Sequence, residues 1–400
     1  MQQLKNYFWH LPLGWLYQFL YRFPSKKLTL IGVTGTDGKT TVVHLIHHLL
    51  SQAGIPCGII STITSPGLHT TSPDPQIVQH YLSSLAKKAY THAVLEVTSH
   101  ALDQFRFVGC RFKIGILTNI THEHLDYHHS YQRYLRAKAR LFGQSDIAIL
   151  NQDDSSCPFL SANFPRNISY SVKKSSNYQA KNIHLKSSTL SFAVNGQKIV
   201  TDSPYHYQVY NILPAYIACL KLGLKAEFIA RQLIHFPLIP GRRQQFKNTL
   251  GFQTIIDFAH TPNALKETLS SLRLQTKGNL IVIFGATGGR DQSKRPLMGR
   301  VVSQIADIAI ITADDTRHEK IADINQHIIN GLDPSQRHFK YYNIPNRQDA
   351  FNLAVKLAKK GDTIIACGKG HETTILHGLT EYPWSEADAF RTAINAKIHV

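Results

Sequence analysis

Cysteine is sparse, and no two cysteines stand close together: Cys57, Cys110, Cys157, Cys219 and Cys367 are scattered over 400 residues without a C-x-x-C pair. The spacing argues against a zinc ribbon and a disulfide framework and suits a reducing, cytoplasmic setting. Acidic residues are also in short supply. Against 44 Lys and Arg stand 26 Asp and Glu, a formal charge of +18, and the pI is near 9.6. Such a chain favours anionic partners, from polyphosphates and carboxylates to acidic membranes, without choosing among them. The basic residues follow no stripe with aromatic neighbours, so nucleic acid is not an expected partner. Long Gly/Ser, Gln/Asn or acidic tracts are missing, as is any internal repeat, and a mean hydropathy of −0.18 fits a globular protein.

Nor is there an uninterrupted apolar run long enough to span a bilayer. Tyr7 to Phe23 is rich in Trp, Tyr, Phe and Leu, yet His10, Pro12, Gln18 and Arg22 break it and no small-residue cleavage site follows. The segment 1–27 is expected to form a short helix that packs on the body of the protein and stops at Pro24 and Ser25. Contact with a membrane surface or a partner protein is its second reading.

What is present reads as roughly two α/β domains. Leu28 to Val33 is a predicted buried strand, and Val42, Val43, Leu45, Ile46, Leu49 and Leu50 come next with helical spacing. Apolar runs at Ala93–Val97, Ile114–Leu117 and Ile147–Leu150 predict further parallel strands, hence a doubly wound sheet. Between Asn151 and Tyr207 short alternating segments such as Leu190–Val194 predict a small antiparallel layer, closed by a helix from about Tyr210 to Leu222. Near Pro240 and Gly241 a second, Rossmann-like series begins, with strands at Thr254–Asp257, Ile281–Phe284, Ile308–Thr312 and Thr363–Ala366. The expected domains are therefore 28–242 and 243–400.

Between the first strand and its helix lies Thr34-Gly35-Thr36-Asp37-Gly38-Lys39-Thr40-Thr41. Glycines let backbone N–H groups approach phosphate oxygens, and the helix N-terminus adds partial positive charge. Lys39 suits the β and γ phosphates of ATP, and Thr40 suits Mg²⁺. A strict Walker A loop has glycine where Val33 stands, so this is a variant of it. Glu96 ends another predicted strand, at the sheet edge where ligand-binding groups collect. The cluster from Thr121 to His128 comes after a third strand end, and its histidines lack H-E-x-x-H spacing, which excludes a zinc protease.

In order along the chain, Thr34–Thr41, Glu96-Val-Thr-Ser-His-Ala-Leu102, Thr118-Asn-Ile-Thr-His-Glu-His-Leu-Asp-Tyr-His128, Ala137-Lys-Ala-Arg-Leu-Phe142, Pro240-Gly-Arg242, Asp257-Phe-Ala-His-Thr-Pro262 and Gly368-Lys-Gly-His-Glu372 resemble the Mur ligases. The resemblance is strongest to members that add the third amino acid to a UDP-linked muramoyl dipeptide. It implies that ATP phosphorylates the dipeptide's terminal carboxylate and that the amine of a free amino acid attacks the acyl phosphate. The products are an amide, ADP and phosphate. A carboxylate becomes a good electrophile only when its oxygen can leave, and the charge shed needs cations.

By the same resemblance Thr40, Glu96, His124 and Lys138 hold Mg²⁺, with Lys138 as its carbamate, while Lys39, Lys138 and His124 form the catalytic set. An ordinary lysine ammonium, with a pKa of about 10.4, would repel a metal that a carbamate attracts. Asn211 and Arg242 match ATP contacts, beside the loop. Thr71, Ser72, Thr98, Gln104 and Arg106 match positions that hold the muramoyl dipeptide, with hydroxyls kept at Ser72 and Thr98. For the incoming amino acid the matching residues are Arg290, Asp314, Asp315, Thr316, Arg317, Gly368 and Glu372. Two arginines suit carboxylates and Glu372 an ammonium. Asp314-Asp-Thr-Arg317 keeps the arginine of a D-N-P-R motif, which favours meso-diaminopimelate over lysine.

Family members also carry an N-terminal domain that grips UDP, and 27 residues before the first strand are too few to build one. A monomer is expected. Two other readings stay open: a folylpolyglutamate-synthase-like or other ligase with a non-UDP substrate, and a nucleotide-dependent scaffold at the membrane periphery.

Overall fold

The computed structural model describes residues 2–64, 71–186, 189–246, 248–333, 335–336 and 338–398. The chain divides into two compact units, residues 1–121 with 128–237, and residues 122–127 with 238–400. The α/β class expected from the sequence is the one found.

In the first unit seven strands form one parallel sheet: β1 (Thr29–Thr34), β2 (Cys57–Ile60), β3 (His92–Glu96), β4 (Phe112–Leu117), β5 (Ser145–Asn151), β6 (Asn167–Ser171) and β7 (Tyr178–Gln179). Their order is β2-β3-β1-β4-β5-β6-β7, so β1, which feeds the glycine loop, lies inside the sheet. Side chains alternate across it as the two-residue strand period requires. Ile31, Val33, Val94 and Ile149 enter one core with the helices Lys39–Gln52 and Gln208–Lys221. Leu30, Ala93 and Leu95 enter another with the helix Pro75–Lys87. Leu117, Ala148 and Leu150 pack with the helix Tyr131–Gly143. Burial on both faces explains why these strands read as apolar runs.

The expected antiparallel layer is present as β8 (Lys181–Leu185), β9 (Leu190–Val194) and β10 (Gln197–Thr201), ordered β10-β9-β8. It is smaller than predicted. Residues 167–171 and 178–179 extend the parallel sheet instead, through Tyr170 opposite Tyr178 and Ala148 opposite Asn167. As outer strands they are only partly buried, which gives them the same Ser- and Asn-rich texture as the small layer.

In the second unit, β11 (Gln244–Phe246), β12 (Gln253–Asp257), β13 (Leu280–Phe284), β14 (Ile308–Ile311), β15 (Lys340–Asn343) and β16 (Thr363–Cys367) form a sheet ordered β11-β12-β16-β13-β14-β15. Only the β11–β12 pair is antiparallel. A hairpin of β17 (Thr374–His377) and β18 (Thr380–Pro383) comes after it in the chain. Residues 122–127, read from the sequence as part of the first domain, cluster with this unit. The buried ammonium of Lys294 lies 3.0 and 3.2 Å from the carboxylate oxygens of Glu123, and the backbone N–H of Leu125 donates to Asp291.

Candidate active site

The loops that leave the C-terminal ends of the first unit's parallel strands converge. After β1, Gly35 runs so close to β4 that a Cβ would sit 1.8 Å from Thr118 Oγ1. Gly38, at φ +82°, caps the helix Lys39–Gln52, and a Cβ there would lie 2.5 Å from Asn211 Oδ1. Both positions therefore require glycine. The rest of the loop is pinned from β4: the Thr36 N–H donates to the Asn119 carbonyl at 2.8 Å and the Asp37 N–H to Asn119 Oδ1 at 2.9 Å. Thr118 Oγ1 donates to the Asp37 carbonyl at 2.6 Å. Lys39 Nζ donates to the Thr36 carbonyl at 2.8 Å, and Thr34 and Thr41 lie buried on either side of the loop.

Glu96, the buried last residue of β3, faces the first turn of that helix. Thr40 Oγ1 stands 3.2 and 3.1 Å from its two oxygens, the N–H and Oγ1 of Thr62 donate to Oε2 at 3.1 and 3.2 Å, and Lys39 Nζ is 4.0 Å away. A hydroxyl and a carboxylate converging at a helix N-terminus are oxygen donors of the kind Mg²⁺ selects, so these residues fit that ion. Lys138, buried in the helix Tyr131–Gly143, donates from Nζ to the Gly35 carbonyl at 2.6 Å and lies 4.5 Å from the centre of the Tyr134 ring. The loop, Glu96 and Lys138 are thus held on one edge of one sheet. Nearby, His128 Nε2 is 3.0 Å from Ser99 Oγ; burial, reinforced by His100 and Lys138, pushes its pKa down to about 3.

The five residues matched to the muramoyl dipeptide also assemble here. Thr71 Oγ1 lies 3.0 Å from Thr62 Oγ1, in hydrogen-bond contact with it. Ser72 Oγ donates to the Glu96 carbonyl at 2.9 Å and accepts from the Thr98 N–H at 3.0 Å. Thr98 caps the short helix Ser99–Asp103 through the Ala101 N–H. Arg106 donates to the Ser72 carbonyl at 2.6 Å and, from Nε and Nη2, to Gln104 Oε1 at 3.1 and 2.8 Å. Asn211, in the helix Gln208–Lys221, donates to Gln208 Oε1 at 2.8 Å while its own Oδ1 borders Gly38.

In the second unit Arg242 precedes β11, and the loops after β13, β14 and β16 carry Arg290, Asp314 to Arg317, and Gly368 with Glu372. Arg242 lies 4.4 Å over the Phe258 ring. The Arg317 side chain, on a backbone at φ +53°, passes against Gly289 beside Arg290. Burial and the like charge of Arg317 hold the Arg290 guanidinium below its ordinary pKa, and the buried Arg317 Nε has no hydrogen-bond partner among the described residues. Gly368, at φ +110°, lets the Asp314 carboxylate approach: a Cβ would be 2.7 Å from its Oδ2. Burial works against ionisation of Asp314, yet Lys369 and Arg347 keep its pKa low. Asp315 accepts from Lys369 Nζ at 2.8 Å and the Leu376 N–H at 2.9 Å, and the Thr316 N–H donates to the Leu376 carbonyl at 2.8 Å. Glu372 is 2.5 Å from Lys369 Nζ, but burial outweighs that cation and raises its pKa to about 7. His124, at φ +57°, belongs to this unit, whereas Thr40, Glu96 and Lys138 belong to the first.

Sequence reasoning missed Thr62, Thr118, Asn119 and Lys369 as individual contributors. Thr118 and Asn119 come directly after a predicted strand, and the rule that loops at C-terminal strand ends carry ligand groups would have singled them out. Thr62 comes after β2, a four-residue strand containing Cys57 and Gly58 that gave no clear apolar run. Lys369 shows its role only in the fold, where it meets both Asp315 and Glu372.

Residues 33–219 match the Mur ligase middle domain and residues 241–370 the Mur ligase, glutamate ligase domain. A UDP-N-acetylmuramoyl-L-alanyl-D-glutamate–2,6-diaminopimelate ligase from Clostridium botulinum is 35% identical over 365 residues, which cover 88% of this chain and 75% of the relative. A solved structure of a ligase of the same description superposes with a TM-score of 0.65 at 29% identity, over 98% of this chain and 83% of the other. The folylpolyglutamate synthase of Mycobacterium tuberculosis shares the fold, with a TM-score of 0.72 at 14% identity over 90% and 92% of the two chains. With both of its units matched in this way, the chain belongs to the Mur ligase family of ATP-dependent, amide-forming ligases.

Proposed function

We propose that the protein adds meso-diaminopimelate to UDP-N-acetylmuramoyl-L-alanyl-D-glutamate, in peptidoglycan precursor synthesis. The observation that carries the substrate choice is the pairing of Arg290 with Arg317. Two neighbouring guanidiniums, one with a buried Nε lacking a partner, suit an amino acid that brings a carboxylate of its own at the far end. The side chain of lysine would bring a third cation instead.

In this reading the glycine loop and Lys39 hold the ATP phosphates, with Asn211 and Arg242 contributing to the nucleotide. Thr71, Ser72, Thr98, Gln104 and Arg106 hold the muramoyl dipeptide, whose terminal carboxylate oxygen attacks the γ-phosphorus as the bond to ADP breaks. The amine of the amino acid then attacks the acyl carbon, phosphate leaves, and the amine loses a proton. Thr40, Glu96, His124 and Lys138 as its carbamate would hold Mg²⁺, which neutralises phosphate charge when bound. Glu372, Asp314, Asp315, Thr316 and Gly368 shape the end of the amino-acid site that receives the ammonium. We place the reaction in the cytoplasm, in keeping with five unpaired, buried cysteines, and with a monomer as the working unit.

Phosphate release by the purified protein, supplied with ATP, Mg²⁺ and UDP-muramoyl-Ala-Glu, tests this reading. Turnover should depend on diaminopimelate and be weaker with lysine. No turnover with any amino acid, or stimulation by folate and glutamate, would overturn it.

A further inference from the structure

The N-terminal segment is an amphipathic helix turned inside out. It runs as Gln2–Lys5, a π-turn over Asn6–His10 and Leu11–Leu20. Its inward face is polar or small, at four-residue spacing: Asn6 donates to Asp103 at 2.6 Å, and Gln18 donates to the Val108 carbonyl at 2.7 Å and to Cys110 Sγ at 3.3 Å. Gly14 lies so close to the body that a Cβ would be 2.9 Å from the Phe105 carbonyl. The apolar side faces outward. Leu4, Phe8, Trp9, Leu16, Phe19 and Leu20 are 50–78% exposed and fall in two groups, 4–9 and 16–20, each with three- to four-residue spacing. The docked face fixes this orientation, so the stripe is not a core face that merely swung out.

Charge narrows what could cover it. Lys5, Arg22, Lys26 and Lys27 are all exposed around the segment, and no acidic residue occurs before Asp37. A second copy docking through the same face would bring these cations against each other. An anionic bilayer surface would take both the stripe and its basic border, with Trp9 and Trp15 at the depth where indole rings settle. The ten residues Leu11–Leu20 extend about 15 Å, half a hydrocarbon core. No helix among the described residues is long and apolar enough to cross a membrane.

We propose that this helix lies in the headgroup region of an anionic membrane and holds the enzyme at the bilayer surface. Docking of this kind does not depend on which amino acid the enzyme adds. Its test is co-sedimentation of the full chain with phosphatidylcholine vesicles, with and without anionic phosphatidylglycerol. Trp fluorescence and sedimentation equilibrium are followed in parallel. Binding should require the anionic lipid, shift Trp emission to the blue and weaken with added salt. The variants F8S/W9S/F19S and K5Q/R22Q/K26Q/K27Q should each lower it at least about tenfold. Both variants should keep their far-ultraviolet circular dichroism and their turnover in solution. Failure to bind anionic vesicles, or equal binding to neutral ones, would overturn the proposal. A dimer that the apolar substitutions dissociate would overturn it too, and would assign the face to a second copy.

Discussion

Thr40 Oγ1 sits astride the carboxylate of Glu96, 3.2 and 3.1 Å from its two oxygens. The pair joins the first turn of the phosphate-loop helix to the end of the neighbouring strand. In the proposed reading these two hard oxygen donors would share a cation there rather than bond each other. Thr40→Val and Glu96→Gln are each expected to lower Mg²⁺-dependent phosphate release at least about a hundredfold. The measurement is phosphate release as a function of Mg²⁺, beside a thermal melt to confirm folding. Near-native turnover in a folded Glu96→Gln protein would remove this pair from the reaction.

Arg317 offers a separate check on the substrate. The stem of its side chain lies against Gly289, next to Arg290 in sequence, and a carboxylate bound there would meet two cations. Charge-assisted hydrogen bonds contribute about 1.5–3 kcal/mol each. Arg317→Ala should therefore raise the KM for diaminopimelate at least about tenfold and leave the KM for ATP near its original value. Steady-state kinetics with each substrate varied in turn decides this. An equal loss for both substrates would point to a general disturbance of the second unit.

Much of this site was legible because parallel strands buried on both faces must be apolar, and the loop after each strand then lies at the ligand-bearing edge. Val33 to Thr41 and Glu96 announced themselves in that way. Three features carried no local signal. Lys294 and Glu123 are 171 residues apart in sequence, and long-range contacts such as theirs and that of Leu125 with Asp291 join residues 122–127 to the second unit. The strands β6 and β7 share the composition of the antiparallel layer, so texture could not assign them to a sheet. In the first 27 residues the apolar spacing announces a helix, but periodicity does not say which face is docked; that was decided by Asn6, Gly14 and Gln18 finding partners or room on the body.

The raised pKa of Glu372 gives the proposed amino-acid site a pH dependence to test. Burial raises the carboxyl to about 7, against the partial relief from Lys369, while Asp314 and Asp315 push it the same way as burial. Below that value the group is protonated and cannot pair with the ammonium of the acceptor. The KM for diaminopimelate should thus fall as pH rises from 6 to 8. Glu372→Gln should give a higher KM with a flat profile in that range, and an unchanged slope in the variant would take Glu372 out of ammonium binding.

His128 ties stability to pH. Its folded pKa, pushed down to about 3 chiefly by burial and then by His100, lies below the 6.5 of an exposed imidazole. Above pH 6.5 neither the folded nor the unfolded chain protonates it. As pH falls from 6.5 towards 3 the unfolded chain binds the proton and the folded chain does not, so stability is lost through that window, by at most about 1.4 kcal/mol per pH unit. His128→Gln keeps a polar group facing Ser99 Oγ, which lies 3.0 Å from the histidine Nε2, and does not titrate. Urea unfolding of both proteins at pH 7 and pH 5 should show the gap between them narrowing at the lower pH. A gap of the same size at both values would mean that His128 is charged in the folded protein at pH 5.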